Sequence, residues 1–183
     1  MSYAIAVPVN ELQRLERAAL ERHLLSLDAE DRRLRFGNPL SGTAVHAYVA
    51  RIDFERDAVF GAYDDALHLV GAAHVARAGR CAELGVSVLA AHRRCGIGGA
   101  LLERACLRAR NWGVQALFMH CLKENAAMMR LARRQNMRIV TEAGEADAWL
   151  ALAPADAGSY FGEVFAQRLA LFDHALKFFS CTT

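Results

Sequence analysis

Apolar positions divide this chain into short periodic segments. Over residues 9–27, Leu12, Leu15, Ala19 and His23/Leu24 fall on one face with charges between them, which predicts an amphipathic helix. Asp28 is placed to cap a second short helix running to Phe36, and Gly37-Asn38-Pro39 stops it because Gly and Pro break regular structure. Ser41 opens a third helix, on which Val45, Tyr48, Val49 and Ile52 follow the i, i+3, i+4, i+7 rule. Strands are expected near 57–63 and 67–77, turned by Asp64-Asp65, and a third over 83–89. Next come an apolar-periodic helix to about Asn111, a buried strand from Ala116 to Leu122 and a helix over 125–135. Strands at 137–142 and 146–152 and a long helix over about 158–179 close the chain. This order of helices, a strand meander and then β-α-β-α-β-β-α predicts a mixed α/β layer architecture.

Composition narrows the picture. The 183 residues suit one domain spanning 1–183, and no repeat or linker-like tract divides it. Hydrophobic residues at 54% against 23% charged exclude intrinsic disorder. A net charge of +2, from 22 basic and 20 acidic residues, is too small for a nucleic-acid binder. No stretch reaches the roughly 18 apolar residues a membrane span needs. The start, Met1-Ser-Tyr-Ala-Ile-Ala-Val-Pro8, does not read as a signal peptide. Cys81, Cys95, Cys106, Cys121 and Cys181 form no C-x-x-C pair, so reduced thiols in a cytoplasmic protein are expected. The seven histidines have no metal-ligand spacing, so no metal is expected.

The chemistry concentrates in Arg93-Arg94-Cys95-Gly96-Ile97-Gly98-Gly99, between a strand and a helix. Backbone N–H groups at a helix start are unsatisfied and face an anion favourably. Glycines let the backbone approach a ligand, and flanking arginines add charge-assisted bonds to phosphate. The physical reading is a pyrophosphate cradle. A Walker loop would need a following Lys-Ser/Thr, which is absent, and a dinucleotide fingerprint would need a third glycine where Leu101 stands.

The segment resembles the acetyl-CoA loop of the GNAT superfamily of N-acetyltransferases, whose [Q/R]-x-x-G-x-[G/A] signature is matched by Arg93, Gly96 and Gly98. Residues 82–88, Ala-Glu-Leu-Gly-Val-Ser-Val, look like that family's splayed fourth strand, and Asn125-Ala-Ala-Met-Met-Arg-Leu131 looks like its Asn-helix. The resemblance covers roughly residues 40–152. It implies a mixed, mostly antiparallel central sheet with splayed parallel strands and helices on both faces. It also implies acetyl-CoA as acyl donor and an unidentified primary amine as acceptor. Backbone around Val86 and Val88 would pair with the pantetheine arm. The loop residues Arg93, Arg94, Cys95, Gly96, Ile97, Gly98 and Gly99 would hold the pyrophosphate, with Ile97 also a core residue of the new helix. Asn125 would reach the pantetheine amide, cap its helix, or both.

Glu83 is the candidate general base, because an alkylammonium near pKa 10 must lose a proton before it attacks a thioester. Burial among its apolar neighbours would raise its own pKa. His120, late in the partner strand, is a second titratable candidate. Cys95 and Cys121 are the thiols considered for an acyl-enzyme route, without a readable Cys-His-Asp pattern. Two positions depart from the family. Ala132 stands where its members carry a tyrosine acid, and Asn136-Met137 replaces a Gly-Phe pair, with Asn136 able to take the left-handed conformation. A non-catalytic CoA-binding module and a longer-chain acyltransferase are the alternatives.

Outside the motif, Arg32, Arg33 and Arg35 offer a cationic cluster for an acidic acceptor, unless they form a plain solvated helix face with pairs such as Asp28 and Arg32. On the closing helix, Phe161, Val164, Phe165, Leu169, Phe172 and Leu176 share a face. It is expected to pack on the chain's own sheet, with a homodimer contact as the alternative.

Overall fold

The computed structural model describes residues 7–181, so the expectation about the N-terminal segment falls largely outside the described residues. A short strand β1 (Asn10–Glu11) precedes three helices, α1 (Arg17–Leu25), α2 (Ala29–Phe36) and α3 (Gly42–Arg51). The meander β2 (Ala58–Tyr63), β3 (Leu69–Ala78) and β4 (Cys81–Val88) leads into α4 (Ile97–Asn111). Then follow β5 (Ala116–Leu122), α5 (Ala126–Arg134), β6 (Arg138–Glu142), β7 (Glu145–Ala151) and α6 (Ala157–Cys181).

The strands form one seven-stranded sheet in the order β1-β2-β3-β4-β5-β7-β6. Every neighbouring pair is antiparallel except β4 and β5. Alternation along the strands builds two cores, because successive side chains point to opposite faces. Phe60, Leu84, Val86, Leu117 and Met119 pack with Leu101, Leu102 and Ala105 of α4. On the other face, Val59, Leu69 and Ala72 pack with Leu20 and Leu24 of α1 and Val45 and Val49 of α3.

Local capping rules hold. Asp28 accepts from the Asp31 N–H at 2.7 Å, and Ser41 from the Ala44 N–H at 3.2 Å, starting α2 and α3 as their sequences require. Asn136 sits at φ 53°, as a left-handed helix exit demands.

Two expectations fail for tertiary reasons. The helix predicted over 9–27 begins only at Arg17, after a short 3-10 turn. Asn10 and Glu11 instead pair with Gly61 and Phe60 along the free edge of β2, and Leu12 is buried beside that edge. On α6, the face expected to cover the sheet points outward: Phe161 is 76% exposed, Phe165 71% and Phe172 64%. The opposite stripe goes inward because Arg104 and Arg108 on α4 need an acid. The Arg104 side chain is only 4% exposed and meets Glu163 at 2.9 Å, Arg108 also binds Glu163, and Gln167 takes a second bond from Arg104 at 3.1 Å. A buried guanidinium without a partner costs more than apolar surface left in water, so the ion pairs decide the orientation.

Candidate functional site

The site begins where β4 and β5 part. They pair in parallel at Cys81↔Ala116, Ala82↔Leu117 and Glu83↔Phe118, and at no register position beyond. From Leu84 to Val88, β4 is bonded to β3 on one side and has no strand on its other edge, where Arg93 takes the Val88 carbonyl. Unpaired strand groups are a template for another chain-like hydrogen-bonding partner.

The free edge borders a cleft of about 630 Å³. Val86, Ser87 and Val88 form one wall, the turn before α4 forms the end, and α5 and α2 close the sides. Gly96 has φ +84°, a left-handed conformation that a side chain would strain, and the helix follows at Ile97. Arg94 also has a positive φ, 64°. The first N–H groups of α4 therefore open toward the cleft, which suits a pyrophosphate.

Of the residues expected at the acyl-donor site, Val86, Val88, Arg93, Arg94, Gly96, Ile97, Gly98, Gly99 and Asn125 line this one cleft. Cys95 does not: its exposed thiol turns back to donate to the Arg93 carbonyl at 3.4 Å, leaving only its backbone for the loop. Ile97 is buried in the α4 core, as expected, and also reaches the cleft wall. Arg93 is already engaged by Asp31 of α2 at 2.5 Å and by the Val88 carbonyl at 3.1 Å. It clamps the loop to α2 and β4 as well as contributing charge. Asn125 combines roles too. Its Oδ1 accepts from the Met128 N–H at 3.1 Å, and its Nδ2 donates to the Leu34 carbonyl at 3.1 Å. The second Nδ2 hydrogen remains for a ligand.

Further cleft groups come from elements the motif does not include. Arg130 and Arg134 share a stripe of α5 with Ala127 and Leu131, at i, i+3, i+4, i+7 from Ala127, a spacing readable in the sequence. Nδ1 of His92 is buried without a hydrogen-bond partner among the described residues, and the residue lines the cleft. With Arg93, Arg94 and Arg35, the cleft carries five guanidinium groups against the single carboxylate of Asp31. This charge set fits a polyanion such as a nucleotide carrying several phosphates.

On the α1–α3 side of the sheet, a second pocket of about 220 Å³ opens beside the parting point. It is lined by Arg35, Phe36, Tyr48, His74, Glu83, Gly85 and His120, among others. Glu83 and His120 are thus brought together, both exposed at its mouth. The burial expected of Glu83 among apolar neighbours is absent, since its side chain is exposed and alternates away from the α4 core. His120 donates to Asp147 at 2.7 Å, and that bond raises its pKa above the usual histidine value. The Asp147 bond thus favours the protonated ring.

Behind this pocket runs a hydrogen-bond chain. Nε2–H of His74 donates to Asp57 at 3.0 Å, so Nδ1 carries the lone pair and accepts the Tyr48 hydroxyl proton at 2.7 Å. Burial pulls the His74 pKa down, although the Asp57 bond opposes the shift. No spacing rule links residues 48, 57 and 74; only the fold joins them. Ala132 is buried in the core and offers no acid, and the phenol that lines the second pocket is Tyr48. Cys121 is buried, and its thiol pKa is pushed up by burial, which disfavours a nucleophile. Among the described residues no cluster of three or more His, Cys, Asp or Glu could hold a metal, and no helix is long and apolar enough to cross a membrane.

Comparison with known proteins agrees with this geometry. No curated protein matches by sequence. Among solved structures, the GNAT domain of S. lividans PAT is similar, with TM-score 0.68 and 21% identity over 79% of this chain and 89% of that one. The yncA protein of Salmonella typhimurium, solved with its cofactor acetyl-CoA, has TM-score 0.61 and 17% identity over 81% of this chain and 95% of that one. The ribosomal-protein-S18-alanine N-acetyltransferase of Escherichia coli has TM-score 0.59 and 19% identity over 82% and 95%. The sequence profile of the Acetyltransferase (GNAT) family matches residues 23–137, more than half of the chain, and takes in the parting strands, the loop and α5. The chain therefore belongs to the GNAT family of acetyltransferases.

Proposed function

We infer that this protein is an N-acetyltransferase that moves acetyl from acetyl-CoA to a primary amine by direct attack in a ternary complex. The observation that carries the reading is the parting of β4 from β5 beyond Glu83 and Phe118, with a phosphate-type cradle at one end and a pocket holding Glu83 at the other.

The pyrophosphate would lie on the N–H groups between Arg94 and Gly98, and the pantetheine arm would pair with the free edge of β4 at Val86 to Val88. Arg130, Arg134 and Arg94 supply charge for the remaining phosphate. Asn125 has one N–H left for the arm. The acceptor arrives as an ammonium ion and gives one proton to the Glu83 carboxylate. Its nitrogen attacks the thioester carbonyl carbon; the C–N bond forms and the C–S bond breaks with its electron pair on sulfur. The second nitrogen proton ends on that sulfur through water, giving the amide and the free thiol, and Glu83 returns its proton to solvent. A thiolate near the ordinary thiol pKa of about 8.5 leaves without a dedicated acid.

A non-catalytic CoA-binding module is the weaker reading, because it leaves the pocket holding Glu83, Tyr48 and His74 without a purpose. A longer acyl chain is tested directly by comparing acetyl-CoA with octanoyl-CoA. The outward apolar face of α6, with Phe161, Phe165 and Phe172 exposed side by side, is the kind of surface that interfaces cover, which supports a homodimer. A cytoplasmic site of action is part of the same proposal.

The test is acetyl-CoA-dependent thiol release over a panel of primary amines. Turnover is expected, with kcat in Glu83→Gln lowered about 100-fold or more and acetyl-CoA affinity unchanged. A folded protein that binds acetyl-CoA and whose Glu83→Gln variant keeps full kcat would remove Glu83 from the mechanism.

A further inference from the structure

Arg35 lies where the two pockets meet and, among the described residues, is the only one that lines both. Its guanidinium lies against Gly85: a Cβ there would lie 2.0 Å from an Arg35 terminal nitrogen, so the missing side chain at this strand position is what gives the guanidinium its place. The rings of Phe36 and Tyr48 flank it at 4.8 and 5.9 Å. These contacts fix the group beside the end of the free β4 edge, next to Glu83.

Its hydrogen bonding is nearly empty. A guanidinium has five N–H donors. Arg35 spends one on the Tyr48 hydroxyl at 3.2 Å, its Nε is buried without a partner, and it forms no ion pair among the described residues. Its neighbour Arg33 contrasts sharply, being satisfied by Glu30 and Glu124, both at 2.7 Å. The Tyr48 hydroxyl donates a hydrogen bond to His74, and His74 donates to Asp57. The chain orients Arg35 without neutralising it, since Asp57 lies two side chains away. A fixed guanidinium with free donors on a pocket wall is the geometry that receives a carboxylate, often bidentately. Arg35 adds to the positive charge of the cleft, but it does so at the Gly85 end, up the strand from Val88 and the loop, which leaves its donors facing the second pocket.

We propose that Arg35 binds a carboxylate carried by the acceptor, so that the acceptor is a small primary amine of amino-acid type, its carboxylate on Arg35 and its ammonium at Glu83. This rests on the N-acetyltransferase reading above. The size of the pocket fits a small molecule, and its two opposite charges match the two ends of a zwitterion. A carboxylate on the acyl group, as in succinyl-CoA, presents the same chemistry from the donor side, and one arm of the test separates the two.

The experiment uses the full chain, with thiol release read for each of the common free amino acids and for its carboxamide, with acetyl-CoA and with succinyl-CoA. Acetyl-CoA binding is measured by calorimetry on the same preparation. At least one free amino acid is expected to exceed its carboxamide in kcat/KM by about 100-fold or more, because a site built for a polar group rejects the analogue that lacks it. Arg35→Met should reduce that ratio to within a few-fold, mainly through KM, and Arg35→Lys should restore part of it. Gly85→Ala, which pushes the guanidinium aside while keeping its charge, should act in the same direction and covers a fold defect in Arg35→Met. Equal use of amino acids and carboxamides overturns the proposal, as does a ratio unchanged in folded variants. No amino-acid turnover by protein that binds acetyl-CoA overturns it alone. Arg35 dependence confined to succinyl-CoA assigns the carboxylate to the donor instead. Absence of acetyl-CoA binding overturns both this proposal and the reading it rests on.

Discussion

His23 makes the stability of this fold depend on pH by an amount that can be worked out. The ring is 2% exposed, between α1 and the sheet. Its Nδ1–H donates to the Leu69 carbonyl at 2.9 Å, and its Nε2 accepts the Ser87 hydroxyl proton at 2.8 Å, so the neutral form satisfies both nitrogens. Burial, aided by the nearby Arg35 charge, lowers its pKa from 6.5 to about 4. The unfolded chain takes up the proton near 6.5 and the native chain only near 4. The stabilisation is complete above pH 6.5, falls as the pH drops, and is fully lost below about 4. Between pH 7.5 and 5 the loss from this residue is about 2 kcal/mol, and about 3 kcal/mol at the acid limit. Urea unfolding of the wild type and of His23→Leu at both pH values isolates it. The lowered pKa of His74 acts in the same direction and the raised one of His120 in the opposite direction, and both cancel in the comparison. The wild-type advantage over His23→Leu should shrink by about 2 kcal/mol between pH 7.5 and 5. A change smaller than about 0.5 kcal/mol would refute the reasoning and show that the folded ring accepts a proton near its ordinary pKa.

Two further substitutions test the supports of the site. Glu163→Ala leaves the buried Arg104 without its acid and deprives Arg108 of one of two, and should cost about 3–5 kcal/mol in urea unfolding. Glu163→Gln, which keeps hydrogen-bond acceptors, should cost clearly less. Asn125→Ala removes the α5 cap and the tie to Leu34, with an expected loss of about 1–2 kcal/mol and weaker acetyl-CoA binding by calorimetry. Unchanged stability and affinity would show that water replaces both bonds.

What the sequence reveals follows from how local each interaction is. Caps at Asp28, Ser41 and Asn125 act within three residues, and all three are found. The strand at 116–122 is bounded by the polarity of its own ends and is found unchanged. The loop from Arg93 to Gly99 is legible because one short segment carries the turn, the charge and the helix start. The helix over 9–27 fails at its beginning because a partner strand, invisible to periodicity, captures Asn10 and Glu11. The outward face of α6 fails because apolar patterning cannot show that Arg104 and Arg108 on another helix demand Glu163. The second pocket is assembled from α2, α3, β3, β4 and β5, so Arg35, Tyr48 and His74 share no spacing that links them, whereas Glu83 rides on a recognisable strand. Arg130 and Arg134 were within reach of a helical-face argument applied to α5.

The central claim is that the cleft between the parting strands holds acetyl-CoA through the turn at Gly96 to Gly98. Gly98 lies on the cleft floor, where an added Cβ would come within 3.3 Å of Leu131, and a glutamate would place a negative charge at the phosphate position. Calorimetric titration of wild type and Gly98→Glu with acetyl-CoA, with folding checked by circular dichroism, tests the claim most directly. The account predicts saturable one-to-one binding in the wild type that disappears in a folded Gly98→Glu protein. Absence of binding by folded wild type, or equal binding by the variant, would contradict it.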